Sequence, residues 1–162
     1  MAILALFIAG TIVLTDQLLK ILVVYALKPV GSMTAIPGLL DFVYVENRGA
    51  AFGMLADQRW LFIIATAVVM IGFVVILFRK KEHHRLFICS TALILGGGVG
   101  NLIDRIFLGY VIDYLQLSFF PPVCNFADYC ITAGTVLLII YILFYHEQHT
   151  EKEQAVRQES KS

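Results

Sequence analysis

The chain has 162 residues, is 59% hydrophobic and only 15% charged, and its twelve basic and twelve acidic side chains cancel. A mean hydropathy of +0.83 lies outside the range of soluble globular domains and points to an integral membrane protein. Zero net charge leaves no electrostatic footprint for nucleic acid, which is excluded as a partner.

The first apolar stretch, residues 3–27, is interrupted only by Asp16, Gln17 and Lys20. No basic residue precedes it and no small-x-small site ends it, so it reads as a retained helix rather than a cleaved signal. Asp16 and Lys20 are spaced i, i+4 and can pair, which lowers the cost of burying either. No serine sits in a companion motif that would make Lys20 a catalytic base, and both residues are read as structural or substrate-orienting.

The connection 28–59 is more than a linker. Gly31, Pro37 and Gly38 punctuate its start, and Leu39 to Glu46 is rich in β-branched and aromatic residues, which predicts a strand. Asn47-Arg48-Gly49 reads as a turn before the apolar run 50–55. A small β element over about 31–58, lying on the outer membrane surface, is expected.

Residues 60–78, 86–103 and 129–145 are the remaining apolar stretches. At about 1.5 Å rise per residue, each crosses all or most of a hydrocarbon core about 30 Å thick. The expected fold is therefore all-α, an integral membrane protein with four transmembrane helices forming one domain over 1–145. The loop 79–85 holds four basic residues in seven, whereas 28–59 holds only Lys28, Arg48 and Arg59. That asymmetry places 79–85 and both termini in the cytoplasm and turns 28–59 and 106–124 outward. The polar end, 146–162, reads as a cytoplasmic tail.

The third stretch ends in Gly96-Gly97-Gly98-Val99-Gly100-Asn101-Leu102-Ile103-Asp104-Arg105. Gly96 and Gly100, one turn apart, let a neighbouring helix approach closely. Asn101, Asp104 and Arg105 fall at i, i+3 and i+4, and the favoured account of Asp104 and Arg105 is a buried, hydrogen-bonded ion pair that pins helices together.

Asp113 and Asp128 flank the start of the last stretch, where the chain leaves and re-enters the membrane on one side. Two carboxylates within about 3 Å cannot both ionise, so a meeting of the two supplies an acid and a base in one site. The ordinary alternative is that Asp128 caps the fourth helix and Asp113 is a loop residue. On these residues alone both accounts stay open. Neither aspartate is followed by Thr-Gly, and no Gly-x-Gly-Asp occurs, so two familiar aspartyl-protease signatures are absent. Three cysteines, at 89, 124 and 130, form no C-x-x-C pair and are read as small hydrophobes. His83, His84, His146 and His149 lie in charged segments, and neither a metal nor a cofactor is expected.

Five motifs in order carry a resemblance. They are Asp16-Gln17-x-x-Lys20, Asn47-x-Gly49-Ala50-Ala51-Phe52, Gly100-Asn101-x-x-Asp104-Arg105, Val111-x-Asp113-Tyr114 and Asn125-x-Ala127-Asp128. Over its whole length, from first helix to fourth, the chain resembles the bacterial lipoprotein signal peptidase family, signal peptidase II. It departs from the family pattern at Gly98, Cys124 and Tyr129. The resemblance implies that Asp113 and Asp128 are a catalytic dyad, and that Asp16, Lys20, Asn47, Asn101, Asp104, Arg105, Asn125 and Ala127 hold supporting or substrate-binding positions. It also implies the substrate, a prolipoprotein whose cysteine carries diacylglyceryl and is cut just before that cysteine, and a place in the bacterial plasma membrane. Membrane lipid is the other expected partner, and the protein is taken as a monomer.

The rival from another class is a small proton-coupled transporter, whose carboxylates relay protons. Such sites tend toward the bilayer midplane and matched halves; here the acids lie at helix ends and the halves do not match. A non-catalytic assembly factor is the third reading.

Overall fold

The structure, a computed structural model, describes residues 1–49, 58–79 and 84–145. The apolar run 50–55, most of the basic loop and the tail 146–162 are outside the described residues.

Four helices occur where the apolar stretches predict them: α1 (Ala2–Ala26), α2 (Arg59–Arg79), α3 (Arg85–Phe107) and α4 (Phe126–Phe144). All four are long and apolar enough to cross a membrane. The third is the hub, packing on each of the other three, and its glycines explain how. On a helix, successive residues turn by about 100°, so the glycine run presents bare backbone in three directions. A Cβ on Gly96 would stand 2.6 Å from the Ile12 Cβ of α1, and one on Gly98 would stand 2.7 Å from the Met70 sulfur of α2. A Cβ on Gly97 would collide with the Ala127 carbonyl of α4. Gly100 repeats the α1 contact one turn later, against the Asp16 carboxylate. The departure at Gly98 is thus a packing choice toward Met70.

At one end of the bundle Ala5, Leu77, Phe87, Ala92 and Tyr141 form a buried cluster drawn from all four helices. His84 caps α3 there, its side chain accepting from the Leu86 N–H at 3.2 Å and stacking on the Tyr145 ring at 4.8 Å.

The other end carries a four-stranded antiparallel sheet in the order β1 (Ser32–Ile36), β2 (Leu40–Asn47), β3 (Val111–Leu117), β4 (Val123–Cys124). The expected strand 39–46 is β2, shifted by one residue. The sheet is wider than expected, because β3 and β4 come from the segment between α3 and α4. Gly31 and Gly38 take φ of 83° and 74°, the left-handed turns that only glycine adopts freely, and they bracket β1. Leu27, Ile112 and Tyr114 form a second buried cluster where the sheet meets α1.

Candidate active site

Asp113 is not a loop residue: it lies in β3, paired opposite Val45 of β2, and is 2% exposed. Asp128 is not the cap of α4 either. The cap is Asn125, whose side-chain oxygen accepts from the Asp128 N–H at 3.0 Å, while the Asp128 carboxylate accepts from the Asn125 N–H at 3.0 Å. That reciprocal capping box fixes the first turn of α4 and aims the half-buried Asp128 at the helix end facing the sheet.

Asn125 also reaches the other aspartate. Its side-chain Nδ2 donates to Asp113 Oδ1 at 2.6 Å and to Asn101 Oδ1 at 3.1 Å. Asn101 Nδ2 in turn donates to Asp128 Oδ1 at 2.8 Å. Asn47, at the end of β2, donates to the remaining oxygen of Asp113 at 2.8 Å. Each aspartate is therefore held by two N–H donors, and three asparagines, from β2, α3 and the α4 cap, supply them. Burial first, and the Asp128 charge second, push the Asp113 carboxyl up to about 7, against the pull of its two asparagine bonds.

Behind the asparagines lies a buried ionic cluster. Lys20 donates to Asp16 at 2.9 Å, to Asp104 at 2.8 Å and to Asn101 Oδ1 at 3.0 Å. The expected pairing of Asp104 with Arg105 is corrected: neighbours on a helix diverge by about 100°, and Asp104 turns to Lys20 of α1. Arg105 turns instead to the Gly49 and Asn101 carbonyls, at 3.5 and 3.4 Å, with its guanidinium 5.1 Å from the Phe62 ring. The carboxylates of the cluster also hold backbone. Asp104 accepts from the Ile112 N–H at 3.1 Å, which ties α3 to the strand carrying Asp113. Asp16 accepts from the Ala127 N–H at 3.2 Å, which ties α1 to the turn carrying Asp128.

All ten residues singled out in the sequence thus join one connected network. Reasoning on the sequence missed Gln17, whose Nε2 donates to Asp104 at 3.1 Å and to Asp16 and the Gly100 carbonyl, each at 3.2 Å. Its signal was present, since it sits inside the first motif. Cys124 stands beside Asp113 and Asp128 as well, its thiol pushed up to about 11 by burial and by the two aspartates. What the arrangement can do chemically is hold two carboxyls in one buried site, one of them protonated near neutral pH, with every other contact a donor.

The signal peptidase (SPase) II family model matches residues 8–144. The chain is 45% identical over 131 residues to a lipoprotein signal peptidase of Halothermothrix orenii, covering 81% of this chain and 89% of that one. It is 42% identical over 140 residues to one of Caldanaerobacter subterraneus, covering 86% and 96%. Among solved structures it resembles a bacterial membrane enzyme determined by the in meso method at 2.3 Å resolution, with a TM-score of 0.80, 30% identity, and coverage of 86% of this chain and 87% of that one. A second, at 1.9 Å, gives a TM-score of 0.78 at 30% identity, covering 87% and 93%.

Proposed function

The chain belongs to the signal peptidase II family of proteases, and on that premise we propose that Asp113 and Asp128 are its catalytic dyad. The substrate is a prolipoprotein, cut just before its diacylglyceryl-modified cysteine. The observation that carries the reading is Asn125, which bonds Asp113 through its side chain and Asp128 through its backbone.

Roles follow from the surroundings. Asp113, its carboxyl pushed up to about 7, holds the proton. Asp128 is the base: it sits at a helix N-terminus, which favours negative charge, and it is the less buried of the pair, open to water. Asp128 takes a proton from water as the oxygen attacks the scissile carbonyl, and Asp113 gives its proton to the carbonyl oxygen. In the collapse of the resulting gem-diol, Asp128 returns its proton to the leaving nitrogen and Asp113 recovers one from a hydroxyl. The peptide bond breaks, and both aspartates regain their starting states.

The basic loop 79–85 and both termini face the cytoplasm, and the sheet and dyad face outward, where exported prolipoproteins lie. Asp16, Lys20, Asn101, Asp104, Asn125 and Ala127 position the dyad. Asn47, which bonds Asp113, and Arg105 are assigned to the substrate side of the site. The protein acts as a monomer in the bacterial plasma membrane, and its lipid-facing helices receive the acylated cysteine from the bilayer.

The test uses purified protein in detergent, with no partner and no ion gradient, and mass spectrometry of the products. The diacylglyceryl-modified precursor should be cut and the unmodified one left essentially uncut. Equal cleavage of both refutes lipid recognition. Cleavage of neither, with proton flux in sealed liposomes, favours a transporter.

A further inference from the structure

The sheet extends past Asp113 along β3 to Leu117, and that free end is not used by the two aspartates. Its register aligns Met33, Phe42, Leu115 and Cys124 in one row across all four strands, and Ile36, Leu40 and Leu117 in another. Thr34, Asp41, Gln116 and Val123 form the row between them, and by the two-residue period of a strand that row points to the opposite face. Met33 and Phe42 line a cavity of about 300 Å³ whose other wall is Leu19, Leu22 and Ala26 of α1. Met33 and Phe42 thus lie beside the last two turns of a membrane-spanning helix.

At the free end of the sheet the 36–40 and 117–122 turns run side by side, joined by the Ser118 N–H donating to the Leu39 carbonyl at 3.0 Å. Ile36, Leu39, Phe119 and Phe120 are exposed there, Phe119 at 73%. No Asp, Glu, Lys or Arg occurs in 29–40 or in 114–127. Exposed apolar side chains gathered at one tip without a charge are the kind of surface that marks an interaction site.

The backbone of the tip is equally prepared for lipid. The Leu39 N–H donates to the Ile36 carbonyl at 3.0 Å and the Phe120 N–H to the Leu117 carbonyl at 2.9 Å. Pro37, Pro121 and Pro122 have no N–H to satisfy. Unsatisfied backbone groups are what keeps irregular chain out of a bilayer core, and the three prolines together with these bonds leave the tip with fewer free N–H groups.

We propose that the tip is a membrane-insertion element: Ile36, Leu39, Phe119 and Phe120 enter the interfacial layer of the leaflet on the dyad's side. The inference rests on the membrane reading of the four helices and not on the catalytic roles. It gives the sheet two supports, the helix ends at one side and lipid at the other. Asp113 lies on β3 between them, so the insertion sets the height at which a lipid-attached peptide meets the dyad.

The test needs no substrate. In a Trp60→Phe background, a tryptophan is introduced by Phe119→Trp or, on the exposed edge strand away from the tip, by Thr34→Trp, and each protein is reconstituted in phosphatidylcholine vesicles. Bromine on the acyl chains should lower the emission of the Phe119→Trp protein about twofold or more, as expected for a ring at the acyl boundary. Iodide present on both sides of the vesicle should quench the Thr34→Trp protein more strongly. Iodide quenching of the Phe119→Trp protein without bromine quenching overturns the proposal. So does equal quenching at the two positions, or shielding of position 119 from both quenchers, which means that a second copy or a peptide covers the tip.

Discussion

The Lys20 ammonium donates to the side-chain oxygen of Asn101 at 3.0 Å, and an ammonium has no acceptor. That bond decides which way the Asn101 amide points, with its oxygen on Lys20 and its NH₂ on Asp128. It orients the second amide too, because Asn125 must then give an N–H to the Asn101 oxygen, which leaves its own oxygen for the Asp128 N–H. Lys20 touches neither aspartate through these bonds, yet both meet donors because of it.

Lys20→Met should therefore lower kcat about 10²-fold with KM little changed, the scale of a small misplacement in a site that must be preorganised. Stripping the lysine from Asp16 and Asp104 also costs about 3–5 kcal/mol, as for any broken buried pair. The double variant Lys20→Met, Asp104→Asn separates the two effects, since it keeps the net charge of the cluster. It should recover much of the lost melting temperature and stay slow. A double variant with wild-type kcat contradicts the amide argument.

The pH dependence follows from Asp113, whose carboxyl is raised from 3.8 to about 7. A raised carboxyl is protonated below that value and ionised above it, so the acid is present at lower pH and lost as pH rises. Turnover should fall along an alkaline limb with its midpoint near 7, the value that Asp113 carries. The limb belongs to the coupled pair. Asn47→Leu removes a bond that holds the carboxyl down, and should move the limb to higher pH. Steady-state kcat against pH reads both; a limb that does not move contradicts the role of Asn47.

Glycine substitutions should sort by neighbour. Gly97→Ala drives a methyl into the Ala127 carbonyl and Gly100→Ala into the Asp16 carboxylate, and neither can retreat without disturbing the site. Each should cost about 1–3 kcal/mol, the usual penalty of overpacking, and lower activity. Gly10 and Gly72 have nothing within 4 Å of such a methyl, so alanine there should be neutral. Thermal unfolding in detergent measures the contrast.

At neutral pH the Cys124 thiol, pushed up to about 11, is not a thiolate and is a poor nucleophile. Replacing Cys89, Cys124 and Cys130 by alanine should leave turnover within about twofold of wild type, since only thiolates react. A chelator should change nothing. Loss on chelation would move the case to a metallopeptidase.

The helices and the membership of the hydrogen-bonded network were legible for different reasons. Hydropathy marks α1 to α4 because lipid permits little else, and the motifs mark the site residues because each departs from an apolar background. β3 was not legible: Val111 to Leu117 alternates weakly and pairs with β2 across more than sixty positions of chain, a contact that no local pattern encodes. The partner of Asp104 was missed for the same reason. Lys20 is 84 residues away in sequence, while Arg105 is adjacent in sequence but points elsewhere. Asn125 as the cap in place of Asp128 was open to a reading of the capping box, in which a polar cap is followed three residues later by an acceptor.

The most direct measurement is the turnover of a diacylglyceryl-modified precursor by Asp113→Asn and Asp128→Asn. Both changes are nearly isosteric, and asparagine at 128 keeps an oxygen for the Asn125 N–H, so both proteins should insert and purify as wild type. Each should lose activity by about 10³-fold or more, as expected when one member of a catalytic unit is removed. Either variant retaining more than about a tenth of wild-type kcat, far above the residue left when such a unit is broken, contradicts the assignment of the dyad.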